Sequence, residues 1–123
     1  MALADPQSIT PDGGSAVSLP RIQDDGLKSI YQSSDGLTRL IVSHQEGKKR
    51  NVATMVRLEK DVLVADPGAS STAPDVKVTL SCWMVIDRPA FGFTNAEIED
   101  YALGLLAKMN NSSLIQALLG EQH

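Results

Sequence analysis

The 123-residue sequence predicts an α+β domain in which antiparallel strands come first and two helices come last. Three observations carry this expectation. From Ser15 to Asp87 apolar and polar residues mostly alternate between turn signals, the pattern of half-buried strands. From Thr94 to Gly120 the apolar spacing becomes helical, and "RPAFGFT", with Pro89 and Gly92, separates the two zones. The length fits one compact domain with a modest core, divided into a hairpin over about residues 1–25, a sheet over 26–88 and helices over 94–120.

The strands are legible in order. In "ITPDGGSAVSLPRIQ" the Asp-Gly-Gly turn sits between two short extended pieces, a hairpin signal. "QDDG" leads into "LKSIYQSS", and a second Asp-Gly precedes "LTRLIVSHQ". Alternation in that strand places Leu40, Val42 and His44 towards a core and Arg39, Ile41, Ser43 and Gln45 on the other face. After "EGKK", the strand from Arg50 to Leu63 points Val52, Thr54, Val56 and Leu58 one way and Asn51, Ala53, Met55, Arg57 and Glu59 the other. "ADPGASSTAPD" has no periodicity, so Asp66, Pro67, Gly68, Ala69, Ser70, Ser71, Thr72, Ala73, Pro74 and Asp75 are expected to form an exposed loop. In the last strand Val76, Val78, Leu80, Cys82 and Met84 lie opposite Lys77, Thr79, Ser81, Trp83 and Val85.

The helical zone opens on a capping box, Thr94 with Glu97, whose side chains satisfy orphan N–H groups of the first turn. Ile98, Tyr101, Ala102, Leu105 and Met109 follow helical spacing, while Leu103 and Leu106 widen the stripe beyond what one sheet needs. Ser113 and Gln116 read as a second box, with Leu114, Ile115, Leu118 and Leu119 apolar and Gly120 as the stop. So short a helix is marginal in water, so it requires a partner surface. Aromatics are only 4% of the chain, which points the same way: association supplies burial that the monomer lacks.

Composition excludes several classes. Cys82 is the single cysteine, so no intrachain disulfide and no cysteine-based zinc cluster forms within one chain. No apolar run reaches membrane-span length and the N-terminus lacks signal-peptide character, so cytosolic synthesis and no membrane partner are expected. There is no P-loop, no GxGxxG and no metal-ligand spacing, and neither a cofactor nor a metal is expected. The histidines are only His44 and His123. Glu97, Glu99 and Asp100 suit the positive end of a helix.

Charge, however, is unevenly placed. Lys48, Lys49, Arg50, Arg57 and Lys60 crowd one turn and strand of a chain whose formal net charge is −4. The polar sheet face adds Arg39, Ser43, Gln45, Asn51, Lys77, Thr79, Ser81 and Trp83. Arg and Lys attract phosphates, Ser, Thr and Asn bond sugars or base edges, and an exposed ring stacks on unpaired bases. Trp83 equally suits a subunit contact, and a basic turn equally suits a solvated strand edge.

The order and wording of the chain resemble the coat proteins of small single-stranded RNA bacteriophages, the levivirus family. The resemblance rests on the N-terminal hairpin, the paired strands "LTRLIVSHQ" and "KKRNVATMVRLE", the Pro/Gly/Ser loop and, most strongly, the ending "TNAEIEDYALGLLAKMNNSSLIQALLGEQ". It implies a five-stranded antiparallel sheet after the hairpin, and a homodimer whose helices lie across the partner's sheet through Ile98, Tyr101, Ala102, Leu105, Leu106, Met109, Leu114, Ile115 and Leu118. It further implies an icosahedral shell made in the host bacterial cytoplasm, with the loop at Asp66 to Asp75 around symmetry axes. Single-stranded genomic RNA on the inner face is the implied partner, with translational repression through an RNA hairpin as an added role and no small-molecule substrate. The sequence departs from the family at Ile41, Ala53 and Met55, where members commonly present polar or basic groups, and the tyrosine expected before the helices is absent; Trp83 is the candidate for its stacking role. A small dimeric enzyme using His44 and a cleft under the helices, or a cellular RNA-binding module, is the alternative.

Overall fold

The computed structural model describes Leu3 and residues 5–46, 51–64 and 76–122. Strands β1 (Gln7–Ile9) and β2 (Val17–Leu19) pair as the N-terminal hairpin, turned by Gly13 at φ 78°, which glycine adopts without Cβ strain. Strands β3 (Arg21–Asp24), β4 (Lys28–Gln32), β5 (Thr38–Glu46), β6 (Val52–Val64) and β7 (Val76–Arg88) then form one antiparallel sheet in sequence order. Helices α1 (Asn95–Met109) and α2 (Ser112–Leu119) complete the chain. The expected order of hairpin, five strands and two helices therefore holds, except that Arg21–Asp24 opens the sheet, so the hairpin ends at Leu19.

The core sits between the hairpin and half of the sheet. Leu19, Tyr31, Leu40 and Val42 are buried together, with Ile9 and Val17 packed against them. Alternation accounts for this, since Tyr31 is the register partner of Leu40 and both face the hairpin. Leu19 and Tyr31 are completely covered. Leu19→Ala is accordingly expected to cost about 2–5 kcal/mol in urea unfolding, whereas Leu63→Ala, on an exposed side chain, stays within about 0.5 kcal/mol.

Three local expectations need correction. His44 shares a strand face with Leu40 and Val42 but is exposed, because it lies near the end of β5 beyond the hairpin's cover. Ile41, assigned to the polar face, is buried, flanked in register by Ile30 and Arg57 on the central strand. The second helix is capped by Asn111, whose side chain accepts from Leu114 N–H at 3.2 Å, and not by Ser113; at its other end Gly120 is the stop as expected, with the positive φ one residue on at Glu121. The first cap is as expected: the Thr94 hydroxyl oxygen accepts from Glu97 N–H at 3.2 Å.

Candidate nucleic-acid interface and subunit surface

Register fixes the polar face. Arg39, Ile41, Ser43 and Gln45 of β5 stand opposite Glu59, Arg57, Met55 and Ala53 of β6, and Arg57, Glu59, Asp61 and Leu63 stand opposite Trp83, Ser81, Thr79 and Lys77 of β7. The expected set of Arg39, Ser43, Gln45, Arg57, Lys77, Thr79, Ser81 and Trp83 is thus brought to one face, with Asn51 just before β6. Lys48, Lys49 and Arg50, and the expected loop from Asp66 to Asp75, lie outside the described residues.

Two carboxylates organise this face. Asp61 is entirely buried at its side chain, and three donors converge on it. Arg39 Nη1 donates to Oδ2 at 2.8 Å and Nη2 to Oδ1 at 3.1 Å, a two-pronged pairing that planar guanidinium makes well. The Thr79 hydroxyl donates to Oδ1 at 2.6 Å, and Lys77 Nζ lies 3.1 Å from Oδ2. These partners, the Arg39 guanidinium foremost, then the Thr79 hydroxyl, hold the Asp61 carboxyl well below the usual carboxylate range. Asp61 in turn raises Arg39. Glu59 continues the alternation, 3.6 Å from Arg39 Nε and 3.8 Å from Arg57 Nη2. Arg57 finally lies over the Trp83 ring at 5.4 Å, and Trp83 is 60% exposed.

The face is therefore a ladder of alternating charge, Lys77, Asp61, Arg39, Glu59, Arg57, ending on an exposed indole. Asp61 escaped the sequence reading because its donors Arg39 and Thr79 are 22 and 18 residues away. A carboxylate in the middle of an otherwise apolar-polar strand was the available signal.

The opposite face is only half covered. The hairpin shields β4 and β5, but on the same face of β6 and β7 Val56, Val62, Val64, Val76, Val78 and Leu80 are exposed. Neither helix buries a residue: Leu105, Leu106, Met109, Ile115 and Leu118 are all exposed, and Tyr101 is 80% exposed. Among the described residues neither helix packs broadly on any strand of its own chain. Between α1 and the end of β7 lies an apolar groove of about 470 Å³, lined by Met84, Ile86, Phe93, Ile98, Tyr101 and Leu105.

Catalytic constellations fare differently. His44 Nδ1 is 3.0 Å from Thr54 Oγ1, at the rim of a hollow of about 300 Å³ where Arg21 is already bonded to Leu3 O and Tyr31 Oη. Cys82 is exposed on the apolar face. Among the described residues no group of His, Cys, Asp and Glu is arranged to hold a metal, and no helix is long and apolar enough to cross a membrane.

No protein-family model and no curated protein sequence matches the chain. Solved structures do. The virus-like particle of bacteriophage AVE019 superposes with TM-score 0.77 at 12% identity, covering 94% of this chain and 93% of that one. The virus-like particle of Beihai levi-like virus 21 gives 0.75 at 14% identity, covering 99% and 98%. The bacteriophage EMS014 coat protein gives 0.67 at 17% identity, covering 86% and 72%. The chain has the fold of RNA-phage coat proteins, hairpin, sheet and helices included.

Proposed function

We propose that this chain is the coat protein of a single-stranded RNA bacteriophage, acting as a structural subunit and not as an enzyme. One observation carries the reading: a half-bare apolar sheet and two bare amphipathic helices belong to the same chain, and α1 makes too little contact with its own sheet to satisfy either. A second copy satisfies both. Its helices, through Ile98, Tyr101, Ala102, Leu105, Leu106, Met109, Leu114, Ile115 and Leu118, cover the β6 and β7 half that the hairpin leaves open. The structural neighbours are coat proteins and virus-like particles, which supports closure of such dimers into an icosahedral shell.

In the shell the polar face meets the genome. Arg57 and Trp83 offer a stacking platform, Ser43, Gln45, Asn51 and Ser81 supply hydrogen-bonding groups, and Lys77, Arg39 and Thr79 set the ladder that supports them. Lys48, Lys49 and Arg50 add positive charge to the surface that phosphates meet, and the proposed role of the segment from Asp66 to Asp75 is in contacts around symmetry axes. Recognition of one RNA hairpin, and hence translational repression, belongs to this same face. The protein is made in the bacterial cytoplasm and ends in the virion.

Expression of the chain alone, with negative-stain imaging of the largest fraction and its 260/280 nm absorbance ratio, tests the reading. Uniform nucleic-acid-filled shells are expected; a clean small dimer without nucleic acid would sink it. Changing Lys48, Lys49, Arg50 and Arg57 together to Gln is expected to leave dimers intact and cut the RNA per particle at least several-fold, as counted by absorbance. Unchanged RNA content would remove these side chains from the interface.

A further inference from the structure

We propose that Arg21 latches the segment from Leu3 to Asp5 over the outer edge of β3, and that this guard keeps the sheet from taking up a strand of another copy at that edge. The device belongs to the single chain and stands whether or not the chain builds shells.

β3 is the first strand of the sheet, so one of its edges has no strand of the sheet beside it. Such an edge is a template for any further chain. Its backbone directions follow from the bonds next to it. Gln32 N–H donates to Pro20 O at 3.0 Å, so Pro20 faces β4 and the next residue, Arg21, turns its own N–H outwards. That outward N–H is already taken: it donates to Asp5 Oδ1 at 2.9 Å. Pro20 beside it has no N–H to offer. β3 is also only four residues long, and its register with β4 shifts between Arg21 and Gln23, both of which spoil an edge for pairing.

The side chain of Arg21 holds the segment that supplies this acceptor. Arg21 Nη2 donates to Leu3 O at 2.8 Å and to Tyr31 Oη at 3.1 Å, and the guanidinium lies over the Tyr31 ring at 5.4 Å. Tyr31 is completely covered in the hairpin core. One residue thus ties the segment before β1 to the core through its side chain, while the segment caps the same residue's backbone.

What lies at the guarded edge is adhesive. Ile22 in β3 and Leu27 in the turn after it are 56% and 67% exposed. Open backbone donors beside exposed aliphatic side chains favour strand addition. A symmetric two-chain unit carries this edge twice, and pairing at both would join units end to end into an open array. A closed particle needs those edges inert.

Asp5→Ala in the full chain tests the guard. Asp5 is exposed, so native circular dichroism is expected. Hydrogen exchange at the Arg21 amide is expected to quicken about tenfold, as befits the loss of one bond to a charged acceptor. Light scattering is expected to show assemblies that keep growing beyond the wild-type size. Asp5→Asn keeps an acceptor oxygen and is expected to match the wild type in both readings. Asp5→Ala/Ile22→Lys, which puts a charge on the bared edge, is expected to exchange as fast as Asp5→Ala yet to return to the wild-type size. Arg21→Lys keeps the backbone N–H but loses the fork on Leu3, and is expected to resemble Asp5→Ala.

Unchanged exchange in Asp5→Ala, equal behaviour of Asp5→Asn and Asp5→Ala, or loss of the native fold in Asp5→Ala overturns the cap. Fast exchange without growth, or growth that Ile22→Lys does not suppress, overturns the guard. A wild type that forms small dimers in place of shells sinks the coat-protein reading and leaves these comparisons as they stand.

Discussion

Leu106→Glu is expected to give a folded chain that forms no particles. Leu106 is about half exposed in the isolated chain, so the substitution removes nothing from the hairpin core and leaves chain folding within about 0.5 kcal/mol. In the proposed dimer the same side chain lies under a partner's sheet. Burying a leucine is worth roughly 1.5–3 kcal/mol, and the contact occurs twice by symmetry. That alone weakens association by about 10² to 10⁴-fold, before the cost of an unpaired buried carboxylate is added. Light scattering and electron microscopy check it: monomers with native circular dichroism are expected, and intact shells would take α1 out of the subunit contact.

Asp61→Asn is expected to be the most damaging polar substitution on the sheet, comparable with deleting a core side chain. The amide keeps the shape of the carboxylate but accepts from at most one side, leaving Arg39, Thr79 and Lys77 aimed at a group that no longer carries charge. The same network fixes a pH dependence. Because the folded state holds the Asp61 carboxyl below its ordinary range, its stabilisation is fully present above the unfolded value of about 4 and is lost as pH falls below it. Urea midpoints of the wild type should be governed by other groups between pH 6 and 8 and decline below about pH 4, with a shallower acid decline in Asp61→Asn. Equal acid slopes in the two proteins would remove Asp61 from the acid transition.

The physics of what was legible is local. Alternation in "LTRLIVSHQ" and "VKVTLSCWMVID" placed those strands and their faces, and Thr94 with Glu97 marked the first helix to the residue. The misjudged positions depend on what lies outside the element: His44 on where the hairpin stops, Ile41 on shielding from both neighbouring strands, Asn111 on a choice between adjacent polar caps. The charge ladder was invisible because it joins residues of three strands, and a strand pattern records only which face a side chain takes. The open half of the sheet was foreshadowed in the over-wide helical stripe, a surplus no single chain can bury.

The ladder also sets how the polar face meets a polyanion in salt. Binding to nucleic acid falls with ionic strength in proportion to the counterions that bound phosphates release, which counts cations still free to replace them. Arg39 and Lys77 already hold Asp61, and Arg57 leans towards Glu59. If this face binds RNA as proposed, a sheet so arranged is expected to release few counterions and to bind through stacking and hydrogen bonds, with little dependence on salt. In the proposed reading, steep salt dependence is expected of Lys48, Lys49 and Arg50, so a titration with sodium chloride would separate their contribution to RNA binding from that of the sheet face.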